Sequence, residues 1–69
     1  MIKGWDKLTD EEKHHVRAEA VCHTEREWQE NVVYQKGILE KGYQPRCQRC
    51  VTIMVKLGQI NMEDYHATE

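Results

Sequence analysis

The chain has 69 residues, with 10 Lys and Arg against 12 Asp and Glu, a formal net charge of -2, 3 Cys, 4 Gly, 1 Pro and no Phe. That length holds one small domain, residues 1–69, and excludes two. Leu, Ile and Val together number 13 of 69, the edge at which a large net charge would point to disorder, and the small charge leaves that signature half met.

A domain this size buries roughly 60% of its unfolded-chain surface. Small scaffolds of this kind commonly need a metal, disulfides or a second subunit to hold together. The opening Met1-Ile2-Lys3-Gly4-Trp5-Asp6 is charged at once and leads into no apolar stretch, so it does not read as a secretory signal. The strongest apolar run, Val51 to Val55, is interrupted by Thr52 and is too short to span a membrane. Three cysteines without a signal point to a reducing, cytoplasmic setting in which thiols stay free or bind metal.

After a lead-in over residues 1–8, expected to be loosely ordered, Thr9-Asp10-Glu11-Glu12 has the spacing of a capping box, which predicts a helix from Asp10. From there to Lys41 the residues are mostly good helix formers without Pro. Ala18, Val21, Cys22, Trp28, Val32 and Leu39 recur at three- and four-residue steps, with Glu25 and Gln35 as polar interruptions in the same stripe. Thr24-Glu25-Arg26-Glu27 is a second capping signature, so the segment reads either as one long helix or as two, over 10–22 and 24–41.

Gly42-Tyr43-Gln44-Pro45 is a turn, with Pro45 suited to the first position of a third helix over 45–57. Cys47, Cys50, Val51, Met54 and Val55 share one helical face, whereas Val51, Ile53, Val55 and Leu57 alternate as a strand would. A lone strand has no partner elsewhere in the chain, which favours the helix. The expected fold is all-α, a helical hairpin or three short helices turning at 42–45, followed by an acidic, loosely ordered tail over 59–69.

The strongest site signal is Cys47-Gln48-Arg49-Cys50. Two thiolates three positions apart can ligate one zinc ion, and Arg46, Arg49 and a helix N-terminus all favour the thiolate form. A zinc site needs further ligands, for which Cys22 and His23 are the leading candidates, beside His14, His15 and His66. In a simple hairpin Cys47 would face residues 36–38, with Cys22 about 20 Å further along. A closed site therefore requires the chain to break near His23 and fold back, or His66 to return, or a second copy to contribute. Without zinc, the two cysteines would be small hydrophobes beside Val51 and Met54. A thioredoxin-like redox role lacks its βαβ surroundings.

Glu11, His15, Glu19, His23 and Glu27 stand at successive i+4 positions and would form one acid–imidazole ladder on a continuous helix, a solvated face of weak pairs. Glu11-x-x-His14, Glu12-x-x-His15 and Glu63-x-x-His66 match a di-iron spacing by coincidence, since one short chain cannot supply that bundle.

Charge is unevenly placed: net -3 over residues 1–35, +4 over 36–57 and -3 over 58–69. Lys36, Lys41, Arg46, Arg49 and Lys56 lie around the turn, with Tyr43 beside Lys41 and Arg46, a patch that can steer toward an acidic protein surface or meet phosphates. The sequence pI of about 6.1 argues against a dedicated nucleic-acid binder. Trp5 and Trp28 are the large apolar anchors, Trp28 for the core and Trp5 either packed back or exposed as a binding residue.

No phosphate loop, HExxH or nucleophile elbow occurs, so no enzyme is expected. The reading is an intracellular, non-enzymatic interaction module similar to phage inhibitors and adaptors in size and charge alone, contacting a larger protein through Lys36, Lys41, Tyr43, Arg46, Arg49 and Trp5. The alternatives are a zinc-binding regulator using Cys47 and Cys50, and a nucleic-acid binder using the basic turn. The expected cofactor is accordingly none or one zinc ion, and a homodimer is a further way to cover the core.

Overall fold

A computed structural model describes residues 2–61. Among them the chain forms three α-helices and no strand: α1 over Asp10–Ala18, α2 over Glu25–Glu40 and α3 over Gln48–Lys56, preceded by a 3-10 turn at Trp5–Lys7. The fold is all-helical, as the patterning implies.

Both capping signatures operate. The Glu12 N–H donates to Thr9 Oγ1 at 3.2 Å while the Thr9 N–H donates to Glu12 Oε1 at 2.8 Å, closing the box that starts α1. At α2 the Glu27 N–H donates to Thr24 Oγ1 at 3.2 Å, and the Glu27 carboxylate accepts from the His23 N–H at 2.7 Å. The chain between 10 and 41 is therefore two helices, and the single long helix is excluded. The expected spans shorten to 10–18, 25–40 and 48–56.

The acid–imidazole ladder breaks with the helix, and of its members His15 and Glu19 meet within α1's last turns. Pro45 does not open α3. It is buried two residues before Cys47, which takes the N-cap and accepts the Cys50 N–H on its sulfur at 3.3 Å.

The helices end in two ways. At Gly42 and Gly58, with φ of 82° and 72°, the chain turns left-handed and the paired bonds of a Schellman cap form: Gly42 N–H to Leu39 O with Tyr43 N–H to Ile38 O, and Gly58 N–H to Val55 O with Gln59 N–H to Met54 O. α1 leaves through Val21 instead, a β-branched residue at φ 53°, with the Cys22 N–H reaching back to Val16 O at 2.9 Å. A left-handed L-residue costs roughly 1–2 kcal/mol, and Val21 is 62% exposed, so its own burial does not offset that cost.

Reversal at residues 19–24 folds α1 back toward α3. Val16 from α1, Trp28, Val32 and Leu39 from α2, and Val51, Ile53 and Met54 from α3 make the core, joined by Ile2, Leu8, Cys22 and Ile60. Trp28 is wholly buried, and its indole Nε1 donates to Gln59 Oε1 at 2.8 Å. The lead-in thus supplies Ile2 and Leu8 to the core. Trp5 packs partly against that core, with the Arg17 guanidinium 5.5 Å from its ring centroid, so the packed-back alternative describes most of its surface. The acidic tail lies largely outside the described residues.

Glu12 also tethers α1 to α3, its Oε1 standing 2.7 Å from Lys56 Nζ. The hydrogen bond from Lys56 chiefly, and the Thr9 backbone next, hold its carboxyl below the usual value of 4.5. A carboxyl depressed in the fold contributes stability above its unfolded pKa and loses it as pH falls through the folded one. Glu12→Ala removes the cap arm and the pair, and is expected to destabilise by about 1–2 kcal/mol in urea titrations at neutral pH. Glu12→Gln keeps the cap arm and loses less than about 1 kcal/mol at neutral pH, with the difference from wild type shrinking as pH falls below the ordinary carboxyl range.

Candidate metal centre

Three soft or borderline donors converge where α1 meets the start of α3. His15 Nε2 lies 3.1 Å from Cys47 Sγ and 3.3 Å from Cys50 Sγ, and the two sulfurs are 2.8 Å apart. The three donor atoms all fall within 4.8 Å of one another, a grouping that could hold a metal ion. Their placement follows from local structure. Cys47 is the N-cap of α3 and Cys50 lies one turn on, while His15 occupies the face of α1 that also buries Val16.

The surroundings suit a metal. His15 is 5% exposed and Cys50 1%, so water has little access. His15 Nδ1 stands 3.1 Å from Glu19 Oε2. A proton on Nδ1, held by that carboxylate, leaves Nε2 as a lone pair aimed at the sulfurs, and this carboxylate–histidine relay typically orients metal-ligating imidazoles.

The cysteines are free thiols, and their 2.8 Å separation is well beyond the roughly 2.05 Å of a disulfide. Tetrahedral zinc with sulfur at about 2.3 Å sets its sulfurs about 3.8 Å apart. Accommodating that ion therefore means spreading the pair by about 1 Å.

A further observation is an orphaned donor. Asn31 Nδ2 on α2 is buried and makes no hydrogen bond, although the amide stands near enough to Cys50 to favour its thiolate. A metal-held thiolate beside it would give that N–H an acceptor, whereas a neutral thiol is a poor one.

Burial chiefly, and then the hydrogen bond with Cys47, push the Cys50 thiol up to about 12. Burial first and the Glu27 and Cys47 charges next also raise Cys22. Both are protonated at neutral pH unless a cation holds them, and ligation would release the protons.

The sequence candidates thus divide. Cys47 and Cys50 come together with His15. Cys22 is buried, its thiol donating to Ala20 O at 3.1 Å, and stands outside the trio. His23 is exposed and lines, with Trp5, Arg17 and Cys22, an open cavity of about 340 Å³. His14 is exposed, and His66 lies outside the described residues.

A Glu four residues on, Glu19, separates His15 from His14, although His23 with Glu27 shares that spacing. Lys36, Lys41, Tyr43, Arg46 and Arg49 are all exposed around the turn, with Tyr43 at 68%. Among the described residues no helix is long and apolar enough to cross a membrane.

No protein family, curated protein or solved structure matches the chain on comparison. The class is therefore defined by the fold and the donor set alone: a three-helix protein with a His–Cys–Cys group that could hold a metal ion.

In metal-free protein at neutral pH, iodoacetamide is expected to label Cys47 before Cys50 and Cys22, as read by peptide mapping. A thiol raised in the fold contributes stability that is whole below its unfolded pKa and lost as pH climbs from about 9 toward about 12. With chelator present, the urea midpoint should accordingly fall between pH 7 and about pH 10.

Proposed function

We propose that this chain is a metal-dependent, non-enzymatic interaction module in which a zinc ion on His15, Cys47 and Cys50 fixes the helices and the basic turn meets a larger partner. The observation that carries the reading is the convergence of an imidazole from α1 with two sulfurs from α3 in a buried setting, around 30 residues apart in sequence. Zinc favours thiolate and imidazole donors and prefers four ligands in structural sites. In this role the ion supplies cohesion to a core with few large side chains.

Bound at this point, the ion would leave the exposed face of Lys36, Lys41, Tyr43, Arg46 and Arg49 available. That cationic arc suits an acidic surface on a larger protein, with Tyr43 as an aromatic contact. A reducing intracellular compartment fits thiols kept for metal. Direct nucleic-acid binding by the same arc is the second reading, supported by the exposure of Tyr43 among the cations.

Protein purified without added zinc is expected to carry about one ion per chain, and chelation should lower its urea midpoint at neutral pH, as read by circular dichroism. Glu19→Ala should weaken zinc about 10–100-fold by freeing the imidazole, and His15→Ala should weaken it more. A zinc-free chain that withstands chelator would refute the metal reading. Lys36→Glu and Lys41→Glu, on the same arc but away from the sulfurs in sequence, should leave zinc content unchanged. A steep fall of nucleic-acid affinity with salt, lost in these variants, would favour the second reading.

A further inference from the structure

The trio leaves a tetrahedral ion one ligand short, and the surroundings point to where the fourth comes from. We propose that Cys22 is that ligand, so that His15, Cys22, Cys47 and Cys50 together close a Cys3His site within a single chain. The proposal rests on the metal reading above and specifies how that site is completed.

Geometry carries it in three ways. First, Cys22 is 4% exposed and lies on the return from α1, the helix that supplies His15. The backbone holds this return against the turn that carries His15, with the Ala20 N–H donating to His15 O at 3.0 Å and the Cys22 N–H to Val16 O at 2.9 Å. Secondly, its single partner is the carbonyl of Ala20 two residues before it, a weak thiol hydrogen bond that a rotation about χ1 exchanges for another position. Such a step between staggered wells moves the sulfur by roughly 3 Å.

Thirdly, the backbone is strained at the residue before it. Gly42 and Gly58 supply the left-handed turn at the ends of α2 and α3, while Val21 supplies it at the end of α1. Val21 is exposed and gains nothing from the conformation, while Cys22 beside it is buried. Strained positions of this kind collect at functional sites, where surrounding structure over-determines them.

The other nearby donors fit less well. His14 and His23 are exposed, and the Glu19 carboxylate is engaged at the far nitrogen of His15. On ligation the Cys22 thiol gives its proton to solvent, the S–H···O contact to Ala20 is released, and a sulfur–metal bond takes its place. Three thiolates would leave an overall charge of -1 with a divalent ion, beside Arg46 and Arg49 in sequence.

The experiment uses the full chain loaded with zinc, and with cobalt(II) as a spectroscopic substitute. X-ray absorption at the zinc edge counts sulfur neighbours in the unaltered protein, with three sulfurs and one nitrogen expected. Two sulfurs in a protein that binds one zinc overturns the proposal and leaves the metal reading standing. A wild-type chain that binds neither metal overturns both.

Cobalt adds a variant series. The thiolate-to-cobalt absorption of wild type should drop by about a third in Cys22→Ser, and by the same fraction in Cys47→Ser, with affinity lowered at least about tenfold in each. An unchanged Cys22→Ser spectrum would contradict ligation by Cys22. The zinc-edge measurement on wild type decides the matter if the variants fail to fold.

Discussion

Everything in this molecule depends on the reversal between Ala18 and Thr24. Without it, α1 and α2 would run on as one rod, His15 would stand far from α3, and Val16 would have no core to enter. The reversal is built from a β-branched residue in a left-handed conformation, a backbone bond from Cys22 to Val16, and a fresh cap at Thr24 that starts α2. The sequence contains no glycine at this point, although glycine sits at both other helix ends. The chain thus accepts backbone strain at this reversal and uses the unstrained solution at the other two helix ends.

The same reversal ties electrostatics to packing. Glu12 closes the cap of α1 and also reaches Lys56 at the end of α3, while His15, one turn on, reaches the start of α3. These two contacts fix the helix pair at opposite ends, with Val16, Ile53 and Met54 fully buried. Polar residues serve at the ends of the contact and apolar ones in its middle, which is how a small domain with little apolar surface can specify one arrangement.

Much of the fold was legible in the sequence because it is written in local chemistry. Thr9 and Thr24 announce helix starts, Gly42 announces a stop, and the stripe through Trp28, Val32 and Leu39 identifies the buried face of α2. The boundaries were less legible. Nothing in local propensity ends α1 at Ala18, since Glu19 and Ala20 are good helix formers, and Pro45 looks like a helix opener until Cys47 takes the cap. The Cys47–Cys50 pair was visible as a candidate site, but its imidazole was not. Four histidines were available, and the choice among them depends on a tertiary reversal that periodicity does not encode. His15 with Glu19 and His23 with Glu27 share one spacing, and only the tertiary structure turns the first pair's imidazole toward the sulfurs.

The tie between α1 and α3 has a topological consequence. His15 is separated from Cys47 and Cys50 by 32 and 35 residues, and the whole of α2 lies inside the loop so formed. Fixing both ends of that loop removes much of the conformational freedom of the unfolded chain, by an amount that grows only slowly with loop length. α2 carries Gln35 in the core with an unpaired oxygen and has a weak apolar face of its own. Under the proposed metal reading, the ordering of α2 would answer in part to an event at residues it does not contain.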